Sequence, residues 1–379
     1  MKIGIVCYPT YGGSGIVATE LGMDLAEKGH EVHFFSLNVP ARLNIKLPNI
    51  FFHRIHVETY PLFQYQPYDL ALSTILYEKI LQYQIDLVHV HYAIPHAYAA
   101  YFTKKMLESK NYKLPIITTL HGTDITLVGK HPVYKTAVEF SINESDIVTS
   151  VSESLKQETL AAFEITNQII VVPNFIDNEQ FLPEKCVCCR DHFAEPNEKI
   201  ILHVSNLRKV KRIQDVIDTF YLIQQKIPAK LIIAGEGPEW ELADTMIQEY
   251  GIENKVKSLG MVSDLADVLK SADLFLLPSA QESFGLAALE AMAASVPVIS
   301  SNAGGIPEVN IDGLTGFVCP IGDVEQMAEK AIYLLSNEKE LMKFSHAAKQ
   351  KALTFDKKAI LPQYEQIYLN ALELYLIHI

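Results

Sequence analysis

Short apolar runs alternate with amphipathic stretches of helical length along most of the chain. Apolar runs of this length, separated by helix-length segments, are typical of buried strands in parallel βαβ units. The pattern predicts an α/β fold with two Rossmann-like, doubly wound domains. The predicted strands are 2–8, 30–36, 49–57, 86–91, 115–120, 146–151 and 168–173 in the first half, and 198–206, 229–235, 255–260, 273–279 and 297–301 in the second.

One polar segment interrupts this alternation. Residues 177–198 contain two prolines, a cysteine cluster and little periodicity, which predicts a linker with a short lead-in helix. We therefore expect an N-terminal domain over 1–175 and a second domain over 176–356. The last stretch, 357–379, is aromatic-rich and amphipathic and follows a complete second domain, so we expect it to pack back onto the first. Ligands of α/β folds bind at the carboxyl ends of the strands, which predicts a cleft where the two sheets face each other.

Composition narrows the function classes. The chain has 379 residues and a formal net charge of −13, which argues against nonspecific nucleic-acid binding. We find no signal peptide, and no apolar run is long enough to span a bilayer, so stable membrane insertion is not expected. Five cysteines, an odd number, fit a reducing cytoplasm better than a disulfide framework. Whether the chain forms a homo-oligomer stays open.

Two clusters could be taken for metal sites, and both are weak. His89 and His91 share a strand face, but no carboxylate or cysteine lies at ligand spacing. The cluster at Cys186–Cys189 lacks a second C-x2-C pair, and surface thiols are the simpler interpretation. We expect neither a metal nor a cofactor.

The first loop, GGSG, raises the question of a dinucleotide site. Gly13 to Ala18 match the pattern G-x-G-x-x-[G/A]. A nicotinamide enzyme would also carry an acidic residue at the end of the second strand, to hold the ribose. Here that strand ends Phe-Phe-Ser-Leu-Asn at 34–38. The glycines are therefore expected to let a helix N-terminus approach a different charged ligand.

The segment from Ser279 to Met292 is the most informative. A buried strand ends at Pro278, a loop carries Glu282, and a helix is predicted to begin near Phe284, with Glu290 two turns in. The unpaired amides of a first helical turn form an anion site. Two carboxylates on either side of such a site fit the hydroxyl groups of a nucleotide sugar. The simpler interpretation is a helix-terminal charge followed by a solvated face.

Two further strand ends carry charged or polar side chains. Four cations within five residues (Arg208, Lys209, Lys211 and Arg212) follow a second-half strand, where they could neutralise a diphosphate or merely solubilise a helix start. His121 follows a first-half strand beside a glycine. It is a candidate for the site, although a lone histidine more often satisfies loop carbonyls.

The E-x7-E pattern, with SFG and EAMA around it, resembles the retaining nucleotide-sugar glycosyltransferases of the GT-B fold. In that family the first glutamate contacts the transferred sugar, the second binds the ribose, and the amides between them hold the diphosphate. The family lysine fits Lys211, whereas the position of the family arginine holds Asn206, with Arg208 as a compensating cation. The resemblance implies catalytic roles for His121, Glu282 and Lys211, and donor contacts from Gly13, Asn206, Arg208, Lys211, Glu282, Ser283, Phe284, Gly285, Leu286 and Glu290.

Other segments resemble one branch of this family, the malate-using enzymes of bacillithiol synthesis. They are CYPTYGGSGIVATELG, PARLN (40–44), QPYDLALS (66–73), HVHYAIPHA (89–97), TTLHGTDIT (118–126), NFID (174–177), HVSNLRKVKR (203–212) and GGIPEV (304–309). This resemblance implies UDP-N-acetylglucosamine as donor, L-malate as acceptor, retention of the α-anomer and no obligatory metal. The expected acceptor contacts are Ser14, Gly15, Arg42, Tyr92, Thr119 and Asn174.

Two alternatives remain open from the sequence. The same fold could act on another acceptor, such as a lipid-linked sugar or a free sugar. A two-domain protein could also bind a nucleotide sugar without turnover, although such a protein would not need His121, Glu282 and Lys211 together.

Overall fold

The computed structural model describes residues 1–10, 12–58, 66–182, 190–262 and 264–376. The chain divides into two compact units. The first comprises Met1–Asn174 together with the chain from Lys358 onward, and the second comprises Phe175–Lys357. The Cys186–Cys189 cluster lies outside the described residues.

The first unit is built on a parallel sheet of seven strands within the described ranges. Their order is β3-β2-β1-β4-β5-β6-β7. Apart from the two edge strands, the strands are almost entirely buried, as expected when helices cover both faces of a parallel sheet. They are β1 (Lys2–Val6), β2 (Glu31–Ser36), β3 (Ile50–Arg54), β4 (Leu87–His91), β5 (Ile116–Leu120), β6 (Ile147–Ser150) and β7 (Ile169–Val171).

Helices connect these strands. They are α1 (Gly13–Glu27), α2 (Tyr68–Tyr83), α3 (Tyr98–Glu108), α4 (Pro132–Asn143) and α5 (Glu153–Ala162), with short helical turns at Ala93–Ala97 and Thr123–Leu127. Leu72, Leu76 and Ile80 of α2 pack on Val88 and Val90 of β4 in one apolar core.

The second unit repeats this plan with a six-stranded parallel sheet, again counting only residues that the structure describes. The order is β10-β9-β8-β11-β12-β13. The strands are β8 (Lys199–Val204), β9 (Ala229–Ala234), β10 (Val256–Gly260), β11 (Leu274–Leu277), β12 (Val298–Ser301) and β13 (Gly316–Cys319). The helices are α6 (Ile213–Gln224), α7 (Trp240–Glu249), α8 (Ala266–Ser271), α9 (Leu286–Ala293), α10 (Ile306–Val309), α11 (Val324–Leu335) and α12 (Glu338–Leu353), and short turns lie at Asn178–Phe181, Lys209–Lys211 and Glu253–Lys255.

The chain returns to the first unit through α13 (Lys357–Leu376). Its Tyr364 and Tyr368 side chains are fully buried there. Lys28 forms an ion pair with Glu365 of this helix, and Tyr375 donates a hydrogen bond of 2.7 Å to Asp146. The aromatic stripe of the last segment therefore faces the core of the first unit.

The sheet orders explain where functional side chains collect. In the first sheet β1 lies between β2 and β4, and in the second β8 lies between β9 and β11. At these points the order in which successive strands are added to the sheet changes from one side to the other. Ligands of α/β proteins bind beside the strand ends there. The loops that follow β1, β4, β8 and β11 carry several of the residues singled out by the sequence, and His121 follows β5, the neighbour of β4.

The predicted fold class, two parallel doubly wound domains, is confirmed. Strand β13, with the sequence GFVC, was not predicted. Among the described helices, none combines the length and apolar character needed to cross a bilayer.

Candidate active site

Lys211 and Glu282 form an ion pair in the second unit. Lys211 ends the turn after β8, and Glu282 lies in the loop after β11. Ser279 donates a hydrogen bond of 3.1 Å to the same carboxylate oxygen, Oε1. The two loops are also tied by their backbones, since the Ala280 amide donates to the Val210 carbonyl at 2.7 Å. Neighbouring strands thus hold an ammonium group and a carboxylate together at one edge of the sheet.

The Glu282 loop lies directly against the loop that opens α10. The Gly305 amide donates to the Glu282 carbonyl at 2.9 Å. Gly304 has φ +50°, and a Cβ atom built there would lie 2.0 Å from the Glu282 carbonyl oxygen. Only glycine allows this approach, so the GGIPEV segment supports the backbone of the candidate site.

Helix α9 begins later than the sequence predicted. Gly285 caps it with a left-handed backbone (φ 96°), so the helix starts at Leu286 and not near Phe284. Glu290 consequently lies little more than one turn into the helix, a correction to the two turns expected. Phe284 is buried and packs edge-on against Phe355, with ring centroids 5.5 Å apart.

The two ends of α9 differ in charge environment. No side chain caps its N-terminus, which leaves the first-turn amides as donors for an anion. At the other end, the buried Lys349 ammonium donates to the Ala293 carbonyl at 2.6 Å. A cation at a helix C-terminus stabilises the helix dipole, so Lys349 reinforces the same polarity.

The side chains of the basic segment after β8 differ in exposure and in ion-pair partners. Asn206, Arg208 and Lys209 are exposed. Arg212 forms a two-pronged ion pair with the buried Asp215, at 2.5 and 2.9 Å, so its charge is matched within the unit. Lys211 is likewise matched by Glu282, so among the described residues the excess positive charge of this segment comes from Arg208 and Lys209.

Two histidines of β4 and one that follows β5 meet in the first unit. His91 Nδ1 and His121 Nε2 lie 2.8 Å apart, and the planes of the two rings differ by 25°. His89 bonds to Thr119 Oγ1 at 2.7 Å and to Tyr368 of α13 at 2.8 Å, and its ring centroid lies 4.4 Å from that of His91. Burial lowers the pKa of both His89 and His121 to about 3, so both rings are neutral at pH 7.

Asp124 holds the two loops that carry these groups. Its carboxylate accepts the Ala93 amide at 2.8 Å and the Gly122 amide at 3.1 Å. Burial raises its pKa to about 6, and backbone donors partly offset this effect. The sequence motif contained Asp124, but no role was predicted for it. A short acidic residue two positions after a strand-end glycine was the available signal.

Ser14 and Tyr92 meet beside this network. Their hydroxyl oxygens lie 2.6 Å apart, and the Tyr92 ring is 5.3 Å from that of His121. Burial raises the pKa of Tyr92 to about 12, so the hydroxyl stays protonated. Tyr92 has φ 96°, a backbone conformation unusual for a bulky residue and frequent at functional sites.

The other candidates of the first unit, Gly13 for the donor and the rest for the acceptor, differ in exposure and in hydrogen-bond partners. Gly13 is exposed at the start of α1, while the Gly15 amide donates to the Gly12 carbonyl at 3.0 Å. Arg42 pairs with Glu20 at 2.9 Å, so its partner here is an internal carboxylate. The Thr119 hydroxyl bonds His89 and Thr149 and is fully buried. Asn174 is buried, and its Oδ1 has no hydrogen-bond partner among the described residues.

The structure thus brings several predicted residues together in pairs: Lys211 with Glu282, Ser14 with Tyr92, and Tyr92 with His121. It adds His91, Asp124, Ser279 and Lys349, which sequence reasoning did not assign. No group of three or more potential metal ligands is found in the described part of the chain.

Comparisons with known proteins identify the family to which the chain belongs. The family model described as Glycosyltransferase Family 4 matches residues 11–180, and that described as Glycosyl transferases group 1 matches residues 190–351. The chain is 44% identical to N-acetyl-alpha-D-glucosaminyl L-malate synthase of Bacillus anthracis, over 98% of this chain and 97% of that protein.

Two solved structures share the fold at low identity. A glycosyltransferase from Rickettsia africae is 21% identical with a TM-score of 0.80, covering 98% of both chains. Anabaena HepE, in complex with UDP and glucose, is 19% identical with a TM-score of 0.81, covering 97% of this chain and 99% of its own. The chain is a glycosyltransferase of the GT-B fold and belongs to the family of N-acetyl-alpha-D-glucosaminyl L-malate synthase.

Proposed function

We propose that this enzyme transfers N-acetylglucosamine from UDP-N-acetylglucosamine to the hydroxyl group of L-malate, with retention of the α-anomer, as the first step of bacillithiol synthesis. The observation that carries the proposal is the 44% identity, over 98% of the chain, to a relative named as the L-malate synthase. The low and odd cysteine count favours a reducing cytoplasm as the location.

The second unit supplies the donor contacts in this proposal. Glu282 orients the hydroxyl groups of the transferred sugar, and Glu290 accepts hydrogen bonds from the ribose. The diphosphate lies at the open N-terminus of α9, where the amides of Ser283 to Leu286 donate to it. Lys211 has three N–H groups, so it can keep its bond to Glu282 while it donates to a phosphate oxygen. Arg208, Asn206 and, from the first unit, Gly13 complete the donor contacts.

The first unit supplies the acceptor contacts. Ser14 and Tyr92 already form a hydroxyl pair, and Asn174 Oδ1, which has no hydrogen-bond partner in the described part of the chain, offers a buried hydrogen-bond acceptor. Arg42 would exchange Glu20 for a malate carboxylate, a planar two-pronged pair that suits arginine. Gly15 has no side chain, so its backbone can approach the acceptor closely. We assign Thr119 a positioning role through His89, because its hydroxyl is already engaged.

Chemically, the proposal is front-face transfer. The bond between the anomeric carbon and the diphosphate oxygen breaks, and a bond to the malate hydroxyl oxygen forms on the same face. The malate proton passes to the departing phosphate oxygen. Lys211 and the α9 amides stabilise the negative charge that develops on the diphosphate. His121, neutral at pH 7, positions the sugar.

Incubation of the full-length protein with UDP-N-acetylglucosamine and a panel of acids tests this proposal. Mass spectrometry of the products, together with UDP release, should show one N-acetylglucosamine added to L-malate. Succinate has both carboxylates but no hydroxyl group, so it should inhibit without forming product. D-malate and lactate separate the requirements for configuration and for the second carboxylate.

Two results would overturn the proposal. UDP release that malate does not raise above the rate without acceptor would remove malate as substrate, and product with a glycolipid or sugar acceptor would replace it. Binding of the donor with no consumption over time would favour a nucleotide-sugar-binding protein without turnover.

A further inference from the structure

His91 and His121 share one hydrogen bond, between His91 Nδ1 and His121 Nε2, at 2.8 Å. Burial is the main cause that lowers the pKa of both rings, and neighbouring histidines add to it. Because both rings are neutral, each carries a single N–H. The shared bond can therefore form in only two ways, with the proton on His91 or on His121.

The surroundings of His91 distinguish these two arrangements. Its other nitrogen, Nε2, is buried and has no hydrogen-bond partner among the described residues. If His121 were the donor, His91 would carry its proton on Nε2 and bury an unpaired N–H group. If His91 is the donor, Nε2 is a bare lone pair. Orphaned buried N–H groups are rarer in proteins than unsatisfied acceptors.

The neighbouring histidine His96 fixes the backbone of His91. Its Nδ1 donates to the His91 carbonyl at 2.5 Å, and the Tyr68 hydroxyl lies 3.2 Å from its Nε2. The His91 ring also contacts two other imidazole rings, with its centroid 4.4 Å from that of His89 and 5.1 Å from that of His121. Because the ring is buried and contacts both histidines, a turn that exchanges its two nitrogens would break the bond to His121 and these contacts.

We propose that His91 is a positioning residue that donates from Nδ1 to His121 Nε2 and so holds His121 as the tautomer with its proton on Nδ1. His121 then meets its ligand as a hydrogen-bond donor, and the atom that it contacts is an acceptor oxygen of the sugar or of the diphosphate. His121 does not take the proton of the acceptor hydroxyl. The tautomer stands without the proposed substrates, whereas the identity of the contacted oxygen rests on the proposed function.

The tautomer can be measured directly on the ligand-free protein. Long-range proton–nitrogen correlation spectra of 15N-histidine-labelled full-length protein distinguish the two neutral tautomers and the charged ring. The His91 and His121 signals are assigned by their loss in His91→Asn and His121→Asn. We expect Nδ1–H on both rings at neutral pH. A His121 ring protonated on Nε2, or charged, would overturn the proposal whether or not malate is the substrate.

Turnover by two variants at position 91 gives an independent readout. Asparagine places an N–H donor near the position of Nδ1, whereas leucine removes it. We expect His91→Leu to lower kcat about tenfold, the loss of one hydrogen bond, with the KM for malate little changed. His91→Asn should keep a kcat close to that of the unmodified protein.

A matched control comes from a second histidine pair in the same unit. His33 Nδ1 and His53 Nε2 also lie 2.8 Å apart, near the sheet edge at β3. His33→Asn should leave the His121 signals and kcat unchanged. Equal losses of kcat in His91→Asn and His91→Leu, with both folded by circular dichroism, would reduce His91 to a packing residue and overturn the proposal. If His91→Leu does not fold, the spectrum of the unmodified protein still decides.

Discussion

The hydroxyl oxygens of Ser14 and Tyr92 lie 2.6 Å apart, although the residues follow different strands of the first sheet. Ser14 lies in the first turn of α1 after β1, and Tyr92 follows β4. The pair exists because β1 and β4 are neighbours at the point where the strand order reverses. Two hydroxyl groups at such a strand end are suited to a small polar acceptor.

Removal of the Tyr92 hydroxyl should weaken acceptor binding. We expect Tyr92→Phe to raise the KM for malate about fivefold to tenfold, the cost of one hydrogen bond, with the KM for the donor unchanged. Tyr112→Phe is the matched control, because its hydroxyl donates to the Ile85 carbonyl at 2.7 Å elsewhere in the same unit. If both variants change the KM for malate alike, Tyr92 has no specific acceptor role.

The position of the Lys211 ammonium group, and not only its charge, should matter for turnover. Lys211→Met removes the ammonium group proposed to stabilise the departing diphosphate, and we expect kcat to fall about 100-fold. The exposed Lys209 lies two residues away, so Lys209→Met loses the same charge and should retain activity. Steady-state kinetics of the two variants make the comparison. Similar losses would point to the general field of the basic segment.

Glu290 should contribute to nucleotide binding. Glu290→Ala is expected to raise the Kd for UDP about tenfold, since a hydrogen bond to a charged group is lost. Titration calorimetry measures this Kd. Glu241→Ala, at an exposed position of α7, removes an equal charge and should leave the Kd unchanged. An unaltered affinity in Glu290→Ala would contradict the ribose contact.

The glycine beside Glu282 offers a test of the backbone support. Gly304 and Gly313 both have left-handed φ values, +50° and +69°, so alanine is strained at either position, by about 1 to 2 kcal/mol. A Cβ at Gly304 would also lie 2.0 Å from the Glu282 carbonyl oxygen, whereas one at Gly313 meets nothing within 4 Å. Gly304→Ala should therefore lose donor affinity, and Gly313→Ala should lose only stability. Titration calorimetry measures the donor affinity, and thermal unfolding measures the stability. Unchanged donor affinity in Gly304→Ala, or lost donor affinity in Gly313→Ala, would contradict this prediction.

Acid should destabilise the first unit before the second. Among the described residues, the histidines whose pKa is lowered chiefly by burial are His33, His53, His89, His91, His96 and His121 in the first unit, and His203 in the second. Once unfolded, these side chains bind protons near pH 6.5. The unfolded state then holds more protons, so the free energy of unfolding falls as the pH drops from about 6.5 toward 4.

The size of this effect follows from the same pKa values. Each histidine contributes about 1.4 kcal/mol per pH unit between its two pKa values. Asp124 opposes them, because its raised pKa makes the native state hold more protons between about pH 4 and 6. Hydrogen exchange of the full-length protein at pH 7, 6 and 5, corrected for intrinsic rates, should show the first sheet losing protection before the second. Parallel loss in both sheets would contradict this prediction.

The strand centres could be predicted from sequence because each buried parallel strand is a local apolar run. Where prediction differed, the cause was not local. Strand β13 is four residues long and is recognisable only through its pairing with β12. The start of α9 depends on the left-handed Gly285, whose conformation follows from its neighbours in the fold. Arg42 is still predicted to contact malate, and the sequence did not indicate that it pairs with Glu20 of α1 in the structure.

The sequence by itself determined the alternation of strands and helices, the two-domain plan and the motifs that carry Glu282, Lys211 and His121. These are local properties of side-chain periodicity and spacing. Only the tertiary structure decided which groups meet: Lys211 with Glu282, His121 with His91, and His89 with Tyr368 of the last helix. Such pairs depend on strand order and register. Those follow from how the whole chain buries its apolar surface, which no short stretch of sequence specifies.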